Sequence, residues 1–262
     1  MRIIEWAAGL QGVTGAPWQG VQYVSTWRAG GVSAAPWDSL NLGLHVGDDP
    51  AAVQENRARV QAGLPAAPLW LDQVHGTTVW HADEAVAAEP AGLTALGVAP
   101  CADAAITASR GLPLAIMTAD CLPVVLADDA GTVLGVAHAG WRGLAAGVLE
   151  NTLAAMQRRA ASARGWRAWI GPGIGPDVFE VGDEVRAAFA AEDAGAAGCF
   201  APSVRAGHWL ADLAGLAERR LAQAGVARVE LSGECTYRQA ERYFSYRRQA
   251  RTGRQATLAW LA

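Results

Sequence analysis

Three apolar runs crowd into residues 112–137, and they leave this stretch little choice but a sheet. They are Leu112-Pro113-Leu114-Ala115-Ile116-Met117-Thr118, Leu122-Pro123-Val124-Val125-Leu126-Ala127 and Val133-Leu134-Gly135-Val136-Ala137. Short continuous runs bounded by turn residues suit buried strands. Asp128-Asp129-Ala130-Gly131 supplies the turn between the second and third. A helix over residues 143–160 follows, with Leu144, Val148, Thr152 and Met156 four apart on one face.

Elsewhere the signals are more dispersed. Residues 20–30 alternate enough for a strand, and Ser39-Leu40-Asn41-Leu42-Gly43-Leu44-His45-Val46-Gly47 sets small and polar residues between apolar ones. Asp48-Asp49-Pro50 reads as a helix start, with Gly63 ending the helix after Ala62. Trp169-Ile170 is a strand that runs into Gly171-Pro172-Gly173-Ile174-Gly175-Pro176, a loop by its breakers. Helices are expected near 182–191 and 209–224, and strands near 227–232 and 256–261. Strands and helices mix without strict βαβ alternation, which argues for an α+β fold of layered mixed sheets flanked by helices. There is no internal repeat and no low-complexity linker, so one domain spanning 1–262 is expected.

Composition removes several classes of function. All 21 basic side chains are arginine, and the absence of lysine excludes Schiff-base chemistry and lysine-dependent phosphate loops. An anion must be held by arginine, backbone N–H groups or a metal. The net charge of −4, without a basic block, argues against nucleic acid as a partner. No apolar run approaches membrane-spanning length, so no membrane partner is expected. Cys101, Cys121, Cys199 and Cys235 form no C-x-x-C pair, and the N-terminus lacks a signal-peptide layout. A reducing cytoplasm is the expected compartment.

The chemistry concentrates where strands end. His75 lies in Gln73-Val74-His75-Gly76, Cys121 in Thr118-Ala119-Asp120-Cys121, and His138 in Ala137-His138-Ala139-Gly140-Trp141-Arg142-Gly143. Two imidazoles and a thiolate favour zinc or a similar metal and leave a fourth position for water or substrate. Zinc lowers the pKa of a bound water to about 7. Asp120 and Gln73 are candidates to steady the ligands. The same Cys/His set also suits a nucleophile and its base, so both readings stand at this point. Arginines make a second cluster: Arg142 after the His138 turn, and Arg247 and Arg248 beside Tyr243 and Tyr246. Guanidinium suits phosphate or carboxylate, and the rings suit a planar base. The 171–176 loop lacks the G-x-G-x-x-G spacing, so a dinucleotide site is not expected. His45, His81, His208 and Cys235 read as structural.

Taken in order, Gly31-Val32-Ser33, Ser39-Leu40-Asn41-Leu42-Gly43, the three segments above, Glu180-Val181-Gly182 and Phe244-Ser245-Tyr246-Arg247-Arg248 resemble the YfiH-like family. That family is described both as polyphenol oxidase (laccase domain) and as purine nucleoside phosphorylase. The resemblance implies an αββα-layered domain with zinc on His75, Cys121 and His138, copper being a possible substitute. It implies phosphorolysis of adenosine, inosine, guanosine and methylthioadenosine, with adenosine deaminase activity. Purine nucleoside and phosphate are then the partners of a protein expected to be a monomer, an oligomer staying open. Asn41, Arg142, Tyr243, Tyr246, Arg247 and Arg248 become the candidate substrate contacts.

Other readings attached to the family are copper-dependent laccase and peptidoglycan-precursor editing; a Cys/His hydrolase and a non-catalytic binding partner complete the alternatives. A multicopper oxidase needs roughly ten imidazole ligands, imidazole being a preferred copper ligand. Five histidines fall short of that, leaving at most one adventitious copper.

Overall fold

The computed structural model describes residues 1–7, 9–83 and 99–262. The apolar runs set the architecture, because each strand sends alternate residues to opposite faces. One sheet is antiparallel throughout and orders β1 (Arg2–Trp6), β2 (Leu10–Thr14), β3 (Val21–Thr26), β14 (Gln255–Leu261) and β6 (Leu114–Thr118). The other orders β13 (Arg228–Leu231), β9 (Trp166–Ile170), β7 (Leu122–Asp128), β8 (Leu134–Ala139), β5 (Ala104–Thr107) and β4 (Val79–His81). Its two edge pairs, β13 with β9 and β4 with β5, are parallel. A small third sheet orders β10 (Glu180–Gly182), β12 (His208–Ala211) and β11 (Phe200–Pro202).

The two large sheets pack face to face. From β7, Val125 and Ala127 meet Leu114 and Ile116 of β6 and Ala259 and Leu261 of β14 in one buried cluster. The alternate β7 residues, Leu122, Val124 and Leu126, point outward to α3 (Val148–Arg159) and α5 (Leu213–Gln223), where Leu149, Leu153, Met156, Leu216 and Leu221 cover them. On the far side of the first sheet, Ala115, Val24 and Leu258 meet Leu40, Leu42 and Val60, the last from α1 (Pro50–Gln61). The layers therefore run helix, sheet, sheet, helix. Burying one Val or Leu side chain is worth about 1.5–3 kcal/mol. A one-residue slip of β7 would turn its whole set to the wrong neighbours, which fixes its register.

Most expected elements appear, with informative differences. Asp49 caps α1, its side chain accepting the Ala51 N–H. The helix expected over 143–160 is two helices, α2 (Trp141–Ala145) and α3, because Gly147 adopts φ 95° between them. The four residues of the expected face are buried all the same. The helix expected from 209 starts later: β12 occupies His208–Ala211, and the Asp212 side chain accepts the Gly215 N–H to open α5. The expected strand at 20–30 is confined to β3, and the β1–β2 hairpin carried no clear sequence signal. Between α2 and α5 lies α4 (Asp183–Glu192), close to its expected place.

Candidate metal centre and pocket

β6 belongs to one large sheet and β7 to the other, so Ala119-Asp120-Cys121 is the link that crosses between layers. The crossing demands an unusual backbone: Asp120 has φ 101°, a region costly for a residue with a side chain. Its own groups fasten it. The carboxylate accepts the Thr236 hydroxyl and the Arg247 N–H, both at 2.7 Å, and the carbonyl accepts the Ile174 N–H at 2.8 Å. Cys121 is thereby placed at the junction of the two sheets.

His75 also has positive φ, 62°, in a turn with no strand to define it. Asp103 supplies the definition. Its carboxylate accepts the backbone N–H groups of Val74 at 3.2 Å, His75 at 2.9 Å and Gly76 at 2.6 Å. One residue earlier, Gln73 pairs with the backbone of Met117 in both directions at 2.8 Å, tying this turn to the end of β6. Asp103 also lies 2.8 Å from Nδ1 of His138. In the neutral ring, Nδ1–H donating to this carboxylate would leave the Nε2 lone pair for a metal, the arrangement that orients a ligating imidazole.

The result is a compact donor set. One ligand atom from each of His75, Cys121 and His138 lies within 4.8 Å of the others, and this is the single such group among the described residues. Cys121 Sγ is 3.8 Å from His75 Nε2, and the two imidazoles meet edge to face. Gly140 permits the approach, since a Cβ there would stand 2.9 Å from both Cys121 Sγ and His75 Cδ2. Two imidazoles and a sulfur in this cradle fit a borderline metal with a position open toward the pocket.

Electrostatics make the donors ready. Burial would raise the Cys121 thiol, but the charge and hydrogen bond of His138, with help from His75, bring it down to about 6. Burial would lower His138; the Cys121 thiolate and the Asp103 hydrogen bond outweigh it and lift the imidazole. Burial likewise opposes the ionised Asp103 carboxyl, yet the hydrogen bonds from His138 and Gly76 hold it below its usual range. Without a metal, then, the sulfur is a thiolate beside an imidazolium.

The triad forms the floor of a cavity of about 480 Å³. Trp141, Phe179 and Tyr246 give it aromatic walls, and Arg142, Arg247 and Arg254 give it positive charge. Arg142 lies 4.4 Å over the Trp141 ring and Arg247 lies 5.3 Å over Phe179.

Of the residues expected to touch substrate, Arg142, Tyr246 and Arg247 line this cavity; Asn41, Tyr243 and Arg248 do not. Asn41 is buried, its amide bonded to Asp48 at 2.9 Å and its oxygen accepting the Gly43 and Arg254 N–H groups. Tyr243 is buried with its hydroxyl 3.3 Å from Glu234. Arg248 spends its guanidinium on the carbonyls of Thr236, Tyr237 and Tyr243, at 2.6–2.8 Å. All three hold the loops that carry the site. His45, read as structural from sequence, lines the cavity, as do Arg254, Trp141 and Phe179. Asp103 went unnoticed because an aspartate at a strand start carries no local mark of a distant histidine; Arg254, beside a strand like the other site residues, could have been found.

The profile of a family described as multi-copper polyphenol oxidoreductase laccase matches residues 22–262. The chain belongs to that family. It is 50% identical to purine nucleoside phosphorylase PA4543 of Pseudomonas aeruginosa, over 90% of this chain and 91% of the relative. Purine nucleoside phosphorylase YfiH of Escherichia coli is 46% identical, covering 93% and 95%. Among solved structures, family member NMB0706 of Neisseria meningitidis superposes with TM-score 0.82 at 45% identity, covering 92% and 94%. YlmD of Geobacillus stearothermophilus gives TM-score 0.84 at 29% identity, covering 99% and 98%. The α+β fold of this chain, with its mixed sheets and flanking helices, is thus shared with these solved structures. The single His/Cys/His group among the described residues offers donors for one ion, which departs from the family's multi-copper description.

Proposed function

We propose that this protein is a zinc-dependent purine nucleoside phosphorylase. The observation that carries the reading is the meeting of a three-ligand metal cradle, aromatic walls and arginines in one cavity of about 480 Å³, a size suited to a nucleoside. The names of relatives at 46–50% identity support it. Adenosine, inosine, guanosine and methylthioadenosine are the proposed nucleosides, each with inorganic phosphate. Adenosine deamination in the same pocket is a companion proposal, and copper a possible substitute for zinc. The described cysteines are free thiols, which suits a reducing cytoplasm.

His75, Cys121 and His138 would hold the zinc, which when bound supplies Lewis acidity toward a substrate oxygen or nitrogen. The remaining work falls to the chain. The rings of Trp141, Phe179 and Tyr246 offer faces to the purine, and Arg142 and Arg247 offer donors to its polar edge or to the sugar. Asp103 holds the His138 ring in place on the cavity floor. Protein loaded with zinc and given inosine and phosphate should release hypoxanthine; no phosphate-dependent turnover across the four nucleosides overturns the reading. Adenosine without phosphate should yield inosine and ammonia if the companion proposal holds.

A second reading is favoured by one observation. Cys121, His138 and Asp103 stand in the order nucleophile, base and orienting carboxylate, with the thiol lowered to about 6. A Cys/His hydrolase would keep its activity after chelation and form a thiol adduct with substrate. Loss of all activity on chelation removes it.

A further inference from the structure

We infer that inorganic phosphate is seated on a wall made by the Arg254 guanidinium and the His45 imidazole, with Arg57 behind them, rather than on the arginines at the pocket mouth. This inference rests on the phosphorolysis reading and assigns the place of its second substrate.

The wall stands out by what its charges lack. The Arg254 guanidinium donates only to the carbonyls of Thr252 at 3.2 Å and Gly253 at 3.0 Å; among the described residues no carboxylate is hydrogen-bonded to it, although the charges of Cys121 and Asp120 reach it. Its stem lies against the 41–45 loop, with Cγ 2.9 Å from where a Cβ on Gly43 would stand. Among the described residues Arg57 is ion-paired to no carboxylate either: Nε donates to the Leu42 carbonyl at 2.9 Å, and the guanidinium lies 4.1 Å over the Trp70 ring. Its other end reaches Met117 Sδ at 3.6 Å, and Met117 lines the cavity. Burial pulls Arg57 down to about 10, and it lowers Arg254 as well. Burial and then the charge of Arg254 depress His45, with Arg57 adding to the effect, which places the three groups in one field.

Desolvating a charge without an opposite charge is unfavourable. Arg254 in the cavity wall, backed by Arg57 and bonded only to neutral carbonyls, leaves room for an anion to complete it. The mouth arginines need no such partner. Arg142 is exposed on the Trp141 ring, and Arg247 is exposed, stacked on Phe179 and bonded to the Glu180 carbonyl at 2.8 Å. Arg254, His45 and the Cys121 floor share one cavity, so a phosphate held by Arg254 lies beside a nucleoside resting on the aromatic side. From that seat a phosphate oxygen lone pair forms the bond to the sugar C1′. The C1′–N bond breaks, its electron pair passes to the purine nitrogen, and the proton of the phosphate monoanion or dianion ends on the base. The products are the sugar 1-phosphate and the free purine, with no further reactant required.

The test reads phosphate directly. With zinc-loaded protein, equilibrium dialysis against radiolabelled inorganic phosphate is compared for wild type, Arg254→Gln, Arg254→Lys, His45→Gln and Arg142→Ala, alongside phosphate and inosine KM values. Arg254→Gln is expected to weaken phosphate binding and raise its KM by about 10- to 100-fold, the worth of charge-assisted hydrogen bonds. Arg254→Lys should recover part of this, His45→Gln should show a smaller loss, and inosine KM should stay within about twofold. If Arg254→Gln does not fold, His45→Gln on the exposed loop decides. Phosphate binding unchanged in both variants, or lost only in Arg142→Ala, overturns the seat and leaves phosphorolysis standing. Phosphate binding lost in Arg254→Gln, in a protein that turns over no nucleoside, keeps the seat and overturns phosphorolysis. A wild type that binds no phosphate at millimolar concentration overturns the seat.

Discussion

The floor of the pocket and its mouth are built by opposite means. On the floor, two buried carboxylates fix every donor: Asp103 holds the His75 turn and the His138 ring, and Asp120 holds the link that carries Cys121. At the mouth, Tyr246 is 57% exposed, and Arg142 and Arg247 rest on aromatic rings with few hydrogen bonds. The contrast separates two demands. A metal needs ligands fixed to a fraction of an ångström, which only a dense buried network provides. Substrate entry needs side chains that can shift, and exposed side chains do so readily.

The contrast can be broken first at the floor. Cys121→Ala or His138→Ala should abolish stoichiometric metal binding, checked by metal analysis after dialysis, while the fold survives by circular dichroism. Retention of a full equivalent of metal would show that the ion sits elsewhere. In the chelator-treated protein, alkylation of Cys121 should keep its thiolate rate down to about pH 6, where an ordinary thiol loses it near 9. The sign follows from the His138 charge: as pH falls through about 6 the sulfur takes up its proton and the rate drops. An inflection near 9 would mean that the imidazolium does not act on the thiol.

Asp103→Asn sharpens the comparison further. It keeps the side-chain shape but weakens the grip on His138, so metal affinity in a chelator competition should fall by about 10- to 100-fold. A change at the mouth should behave otherwise. Tyr246→Ala is expected to raise nucleoside KM by about tenfold through lost stacking, with metal content unchanged. If Tyr246→Ala also sheds metal, floor and mouth are one mechanical unit and the distinction fails.

Legibility in the sequence followed the same divide. His75, Cys121 and His138 were readable because each sits where an apolar run gives way to a turn, a local signal. α3 was readable from its four-residue spacing, although Gly147 split off its first turn. Among the arginines and tyrosines, composition offered no means of sorting: Arg247 lines the cavity while Arg248, its neighbour, clamps backbone carbonyls. Adjacent residues in an irregular segment point in directions set by whatever packs around them. Asn41 looked like a ligand contact for the same reason, and the structure gives it to Asp48 and Arg254.

What the chain's letters fixed by themselves were the strands, their alternation of faces, and the chemical identity of the donors, since each depends on neighbours within a turn or two. Tertiary structure alone brought Asp103 to His138 across 35 positions. It also left Arg254 in the cavity wall, with Arg57 behind it, and among the described residues neither is ion-paired to a carboxylate. Such pairings depend on the register and stacking of two sheets, which arises from the whole set of buried contacts and is written in no single segment.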